Sequence, residues 1–147
     1  MVDFNNAGFD EAVQAWLAGF LNSAGAAAGT VHLHTVGGLR LAAAVNIPPP
    51  VRQAVQWVPS GKGMAGLALE RGEPVQTCNL QEDRSGAVKP GARAVNAQAA
   101  VAMPVRDRVG AIVAVVGAAW MDEREIQGAE LESLQGAAAS LVDVARG

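Results

Sequence analysis

The chain has 147 residues, half of them apolar and 17% charged, with a formal charge of −3. That length suits one hydrophobic core and leaves no room for a second domain, and the apolar content excludes a disordered chain. The charge supplies no general field to draw in nucleic acid or an anionic membrane, and no local basic patch of useful size makes up for it.

A solitary Cys78 excludes an internal disulfide and a thiolate metal cluster, and it fits a reducing compartment, the cytoplasm. The segment Met1 to Asn6 lacks the features of a signal peptide, and no stretch of about 18 apolar residues runs without polar interruption, so the chain is expected neither to span nor to cross a membrane.

From Phe9 to Ala26 the apolar residues Phe9, Val13, Trp16, Leu17, Phe20 and Leu21 recur at three- and four-residue steps, the stripe of an amphipathic helix. Thr30–Val36 and Leu39–Val45 alternate and are rich in β-branched residues. Gly37-Gly38 between them tolerates positive φ, which predicts a hairpin. Pro48-Pro49-Pro50 ends the second strand, because proline cannot donate to the ladder, and a short helix through Val51–Gln56 follows.

After Pro59-Ser60-Gly61-Lys62-Gly63 the run Met64–Arg71 is helical, with Gly72 where a helix commonly ends in the left-handed conformation. Pro74–Cys78 reads as a third strand. Asn79 to Asn96 shows no periodicity and reads as a long loop, a kind of connection that is often functional. Gln98–Val105 and Arg108–Ala119 form a second hairpin across the polar pair Arg106-Asp107. One long helix, Asp122 to Ala145, closes the chain. Its apolar face carries Ile126, Leu131, Leu134, Ala138, Leu141 and Val142, and Asp122, Glu123 and Glu125 suit the dipole at its start.

Strands joined by tight turns imply an antiparallel sheet. Terminal helices with one apolar face each can both lie on one side of it, giving an α+β sandwich. Period-two alternation puts Ala100 and Ala102 on one face and Val101, Met103 and Val105 on the other. The face with the smaller side chains leaves more volume for a guest.

At this point the chain resembles a GAF domain over nearly its whole length, 1–147. The resemblance is carried by Gly61-Lys62-Gly63-Met64-Ala65-Gly66, by Gly72-Glu73-Pro74-Val75, by Met103-Pro104-Val105 and by Gly110-Ala111-Ile112-Val113. The Gly-rich string follows a Pro-Ser turn and opens no βαβ unit, so dinucleotide binding is disfavoured. The resemblance implies a central antiparallel sheet with N- and C-terminal helices on one face. On the other it implies a small-molecule pocket beneath Met64–Arg71 and the Asn79–Asn96 loop. It also implies a sensory, non-catalytic role with no cofactor, an unidentified small-molecule ligand, and a homodimer through the terminal helices. The binding role falls to Met64, Leu67, Arg84, Arg93, Asn96, Ala100 and Ala102.

Other readings compete with this one. Free methionine sulfoxide reductases are GAF proteins that use several cysteines, one near the Gly-rich motif and others in the long loop. Cys78 alone would need an external thiol to complete such a cycle. A structural dimerisation module with a collapsed pocket is a further alternative. The Asn-Lys…Phe…Asp-Glu signature of cyclic-nucleotide binders is missing, and bilin binding needs a suitably placed cysteine. Arg84, Lys89 and Arg93 could hold a carboxylate or phosphate, or simply form a solvated loop. His32 and His34, two apart on a strand, could share a metal, but no third ligand is evident, and two histidines on a partly exposed strand face is the adopted reading. No nucleophile-elbow pattern supports a Ser-His-Asp triad.

Overall fold

The computed structural model describes residues 11–77, 98–122 and 124–145. Helix α1 (Glu11–Ala24) leads into the hairpin β1 (Ala28–Thr35) and β2 (Gly38–Val45), then α2 (Pro49–Ala54), β3 (Trp57–Pro59) and α3 (Gly63–Arg71). Strands β4 (Val75–Thr77), β5 (Ala99–Arg106) and β6 (Ile112–Trp120) follow, then α4 (Gly128–Ala138) and the short α5 (Leu141–Ala145). The strands form one six-stranded sheet in the order β3-β2-β1-β6-β5-β4, and every pairing is antiparallel.

The expected two faces are there. Val31 of β1, Val101, Met103 and Val105 of β5, and Val116, Ala118 and Trp120 of β6 share one cluster with Val13, Leu17, Phe20 and Leu21 of α1 and with Leu134, Ala138 and Leu141 of the C-terminal helices. Trp120, almost fully buried, anchors this layer and donates its indole N–H to the Ala24 carbonyl. The α1 stripe reads as the spacing predicts. The helix stops at Gly25, whose φ of 67° is the left-handed turn that releases the chain into β1.

Two glutamine side chains extend the sheet's hydrogen bonding to the elements around it. The Gln14 amide pairs with both backbone groups of Ala44, donating at 2.7 Å and accepting at 3.0 Å. The Gln76 amide does the same for Ile126, which leads into α4, donating at 3.3 Å and accepting at 3.0 Å.

The structure corrects several sequence boundaries. The single helix over Asp122–Ala145 is two helices, with the break at Ala139–Ser140. The backbone ladder shifts there to i→i−3 bonds, with the N–H groups of Ser140, Val142 and Asp143 donating to Ala137, Ala139 and Ser140, while the Ser140 hydroxyl donates to the Ala137 carbonyl and accepts the Trp16 indole N–H at 2.8 Å. Asp122 lies before the helix and pairs with Arg124 at 2.9 Å, so Glu130, not Asp122 or Glu125, meets the α4 dipole.

The second hairpin turns further along than Arg106-Asp107. The Asp107 carboxylate accepts the N–H groups of Val109 and Ala111, Gly110 takes φ 90°, and β6 begins at Ile112. Trp57–Pro59, not foreseen as a strand, is an edge strand on Gly38–Arg40. Phe9, Cys78 and the Asn79–Asn96 segment lie outside the described residues.

Candidate functional site

The sheet face away from α1 and α4 bears an open cavity of about 380 Å³. Strand register builds its floor. Ala119 and Ala100, paired across β6 and β5 with Ala28 of β1 just outside the lining, form one row, and Thr30, Gly117 and Ala102 form the next. Side chains two apart share a face, so five small residues and one threonine stand together. A Cβ at Gly117 would come within 2.9 Å of Thr30 Oγ1, which places the hydroxyl over the glycine.

The walls come from the segment between β2 and α3. Pro49 and Pro50 occupy the first helical positions of α2, where proline costs no hydrogen bond and presets φ. That helix presents Val51 and Ala54 to the cavity, with Ile47 before it and Val55, Trp57 and Val58 after it. The far wall is the start of α3, with Lys62, Gly63, Met64 and Ala65. The Gly-rich string is a packing device. Gly66 lies where an added Cβ would sit 2.5 Å from the Pro59 carbonyl oxygen, and its own carbonyl accepts the Gly61 N–H at 2.8 Å.

His32 closes the β1 side. It is 3% exposed, and its Nε2–H donates to the Val55 carbonyl at the end of α2, 2.8 Å away. A carbonyl can only accept, so the neutral ring carries its proton on Nε2 and offers a lone pair at Nδ1. That Nδ1 is buried and has no hydrogen-bond partner. Burial holds the imidazole below its ordinary proton affinity, with the Val55 hydrogen bond acting weakly the other way.

The partly exposed strand face expected for the two histidines therefore holds only for His34, whose Nδ1 bonds the Ile112 carbonyl. Each imidazole is committed to a different backbone carbonyl. Among the described residues no cluster of three His, Cys, Asp or Glu is arranged for a metal.

Of the residues singled out from the sequence, Met64, Ala100 and Ala102 are brought together around this cavity. Leu67 does not line it. One turn further along α3 on the same helix face as Met64, it packs against the cluster of Leu39, Ala68, Val75, Ala102 and Val115. Arg84, Arg93 and Asn96 lie outside the described residues. Sequence reasoning missed Thr30, Gly117 and Ala119, and weighed His32 as a metal ligand beside His34, not as a cavity residue. The alternation applied to Ala100 and Ala102 would have found them if it had been carried across to the paired strands.

The family profile for the GAF domain matches residues 6–144. The chain belongs to the GAF family. No curated protein matches it. Among solved structures, this GAF domain is similar to a GAF domain/HD domain protein from Geobacter sulfurreducens at 12% identity and TM-score 0.72, covering 91% of this chain and 89% of that one. It is similar to the GAF domain of an Acinetobacter phosphoenolpyruvate-protein phosphotransferase at 17% identity and TM-score 0.69, covering 98% and 93%. It is also similar to the type II free methionine-R-sulfoxide reductase of Thermoplasma acidophilum at 18% identity and TM-score 0.70, covering 90% of each chain. At such identities the likeness concerns the fold. No helix among the described residues of this GAF domain is long and apolar enough to cross a membrane.

Proposed function

We propose that this GAF domain is a non-catalytic, small-molecule-sensing regulatory module that reports ligand occupancy through its terminal helices within a homodimer. The observation that carries the reading is the cavity itself. A space of about 380 Å³ over a floor of alanine and glycine is within the range that holds small ligands. Its described ionisable lining residues are His32 and Lys62, and His32 is committed to a backbone carbonyl.

The dimer reading draws support from a shallow groove between α1 and α4, lined by Ala15, Gly19, Ser23, Ser133 and Ala137 beside the half-buried Trp16. Small side chains there let a second copy approach closely. The single cysteine supports a cytoplasmic setting.

Native mass spectrometry on protein purified from its host tests the sensor. A retained small molecule is the expected result, and an empty protein puts the purely structural dimerisation module on an equal footing. Analytical ultracentrifugation tests the dimer, and a monomer at high concentration removes it.

A second reading, a divergent free methionine sulfoxide reductase using Cys78 with an external thiol, draws on the fold shared with the Thermoplasma enzyme. It requires turnover of free methionine sulfoxide that Cys78→Ser abolishes. No turnover by the wild type discards it.

A further inference from the structure

The lining of the cavity limits what its ligand can be. Among the described residues, its side chains with hydrogen-bonding or charged groups are Thr30, His32, Lys62 and the Trp57 indole, against a majority of aliphatic and glycine positions. Lys62 and Trp57 are exposed at the rim. The interior polar groups therefore both belong to β1, Thr30 and His32, on the same face two residues apart. An ion seated among the alanines would have no buried counter-charge from these residues. Removing an ion from water without one costs several kcal/mol.

Volume sets the size. An apolar cavity of about 150 Å³ holds one benzene, so by the same filling about 380 Å³ holds on the order of fifteen non-hydrogen atoms, the scale of two fused rings with a substituent. The polar wall sets the remaining group. The His32 Nδ1 is buried beyond a guest's reach, so the polar contact of the wall falls to Thr30, whose hydroxyl accepts as well as donates and so matches a hydroxyl or N–H on a guest.

We propose that the cavity selects an uncharged, compact, largely hydrocarbon molecule of about bicyclic size carrying one hydroxyl or N–H, with that group turned toward the Thr30 hydroxyl. This rests on the sensing reading and adds the ligand's chemical class.

Three probes of one shape separate the possibilities by titration calorimetry at neutral pH: naphthalene, β-naphthol and β-naphthoate. The expected order has β-naphthol binding about tenfold tighter than either of the others, the factor that one net hydrogen bond supplies. Thr30→Val, nearly isosteric, should bring β-naphthol down to naphthalene. Ala100→Phe, which fills the floor, should abolish binding while circular dichroism shows a folded protein. If Ala100→Phe fails to fold, displacement of β-naphthol by naphthalene in the wild type replaces it as the test of a shared site.

Equal or tighter binding of β-naphthoate would overturn the proposal in favour of an anion held by Lys62 and the free N–H groups at the start of α3, with sensing intact. Binding that survives Ala100→Phe unchanged would place the probe elsewhere and overturn it too. If no probe binds but native mass spectrometry finds a retained molecule, the class is wrong and the sensor stands. If no probe binds and the protein is empty, the proposal fails and the sensor stands no higher than the structural dimerisation module.

Discussion

His32 and Val55, 23 residues apart, are joined by a 2.8 Å hydrogen bond that ties strand β1 to the end of helix α2 across the mouth of the cavity. The ring making that bond is buried and neutral, and burial lowers its proton affinity below the ordinary value of 6.5. The unfolded chain therefore binds this proton more readily than the folded one. The stability contributed by neutral His32 is present above about pH 6.5 and is lost as the pH falls from there through the lower folded-state value. Among the described residues, Leu41 on β2 and Val115 on β6 are paired with His32 and the Val55 carbonyl bonds its ring, and none of the three brings a carboxylate to offset the loss.

Urea unfolding between pH 8 and pH 5 should show the wild type losing stability on the acid side. A tenfold lowering of proton affinity is worth about 1.4 kcal/mol. His32→Gln should be less stable at pH 8 but flatter over the same range, with His34 unchanged in both proteins. Parallel pH profiles for the two would remove the buried-imidazole account.

Gly66 has less room than Gly61 in the Gly-rich string. An added methyl meets the Pro59 carbonyl oxygen at 2.5 Å and the Gly61 nitrogen at 3.2 Å, both of them backbone, which cannot swing away. Gly66→Ala gains about 1 kcal/mol of helix propensity and loses roughly 1–3 kcal/mol or more to overpacking. A net loss of stability is expected, together with displacement of the Met64–Ala65 wall. The urea midpoint and the heteronuclear NMR shifts of Met64 and Ala65 check it. A variant as stable as the wild type would mean that the β3–α3 turn is softer than its contacts imply.

The local periods were enough to place the sheet and its two faces. The alternation Ala100, Ala102 against Val101, Met103, Val105 needs nothing beyond the two-residue repeat, and the stripe Val13, Leu17, Phe20, Leu21 nothing beyond the helical one. What stayed hidden depends on partners far along the chain. The last helix breaks at Ser140, whose hydroxyl also accepts from Trp16, 124 residues away. Trp57–Pro59 becomes a strand only because Gly38–Arg40 lies beside it. His32 is buried because α2 brings the Val55 carbonyl over it. Leu67 shares the α3 face with Met64 in any helical projection, and both touch the neighbouring cluster, but only the way α3 lies on the sheet brings Met64 to the cavity as well.

Gln14 should be hard to replace. Its amide supplies both hydrogen bonds for the buried backbone of Ala44, beside the irregular register that separates Val31 from His32 on the paired strand. Gln14→Ala leaves a buried donor and acceptor unpaired, at about 1–3 kcal/mol for each group left so. Gln14→Glu keeps the shape and one acceptor but sets a carboxylate against the Ala44 carbonyl oxygen. Near neutral pH it should be at least as damaging as alanine and should recover partly in acid, when the carboxyl can donate. Chemical denaturation of both variants at two pH values decides this. Indifference to either change would show that Ala44 finds other partners.

Strand β4 is three residues long, yet it faces both layers. Val75 packs on the cavity side with Leu39, Ala68 and Ala102, while the Gln76 amide grips the backbone of Ile126 at the approach to α4. A shift on the cavity side therefore has a short route to the C-terminal helices, through one strand and two hydrogen bonds. Gln76→Ala cuts that route without touching the cavity lining. The variant should lose about 1–2 kcal/mol of stability, and the Ile126 amide should exchange faster, because its N–H no longer has an acceptor. The Leu131 amide, bonded to the Gln127 carbonyl in the next turn, should follow more weakly. If ligand occupancy is reported through α4, saturating β-naphthol should slow exchange in 128–138 of the wild type and leave the variant unchanged, while the affinity stays the same in both. A ligand-dependent change that survives Gln76→Ala would move the coupling to another path, and an Ile126 amide equally protected in both proteins would show that the glutamine holds nothing in place.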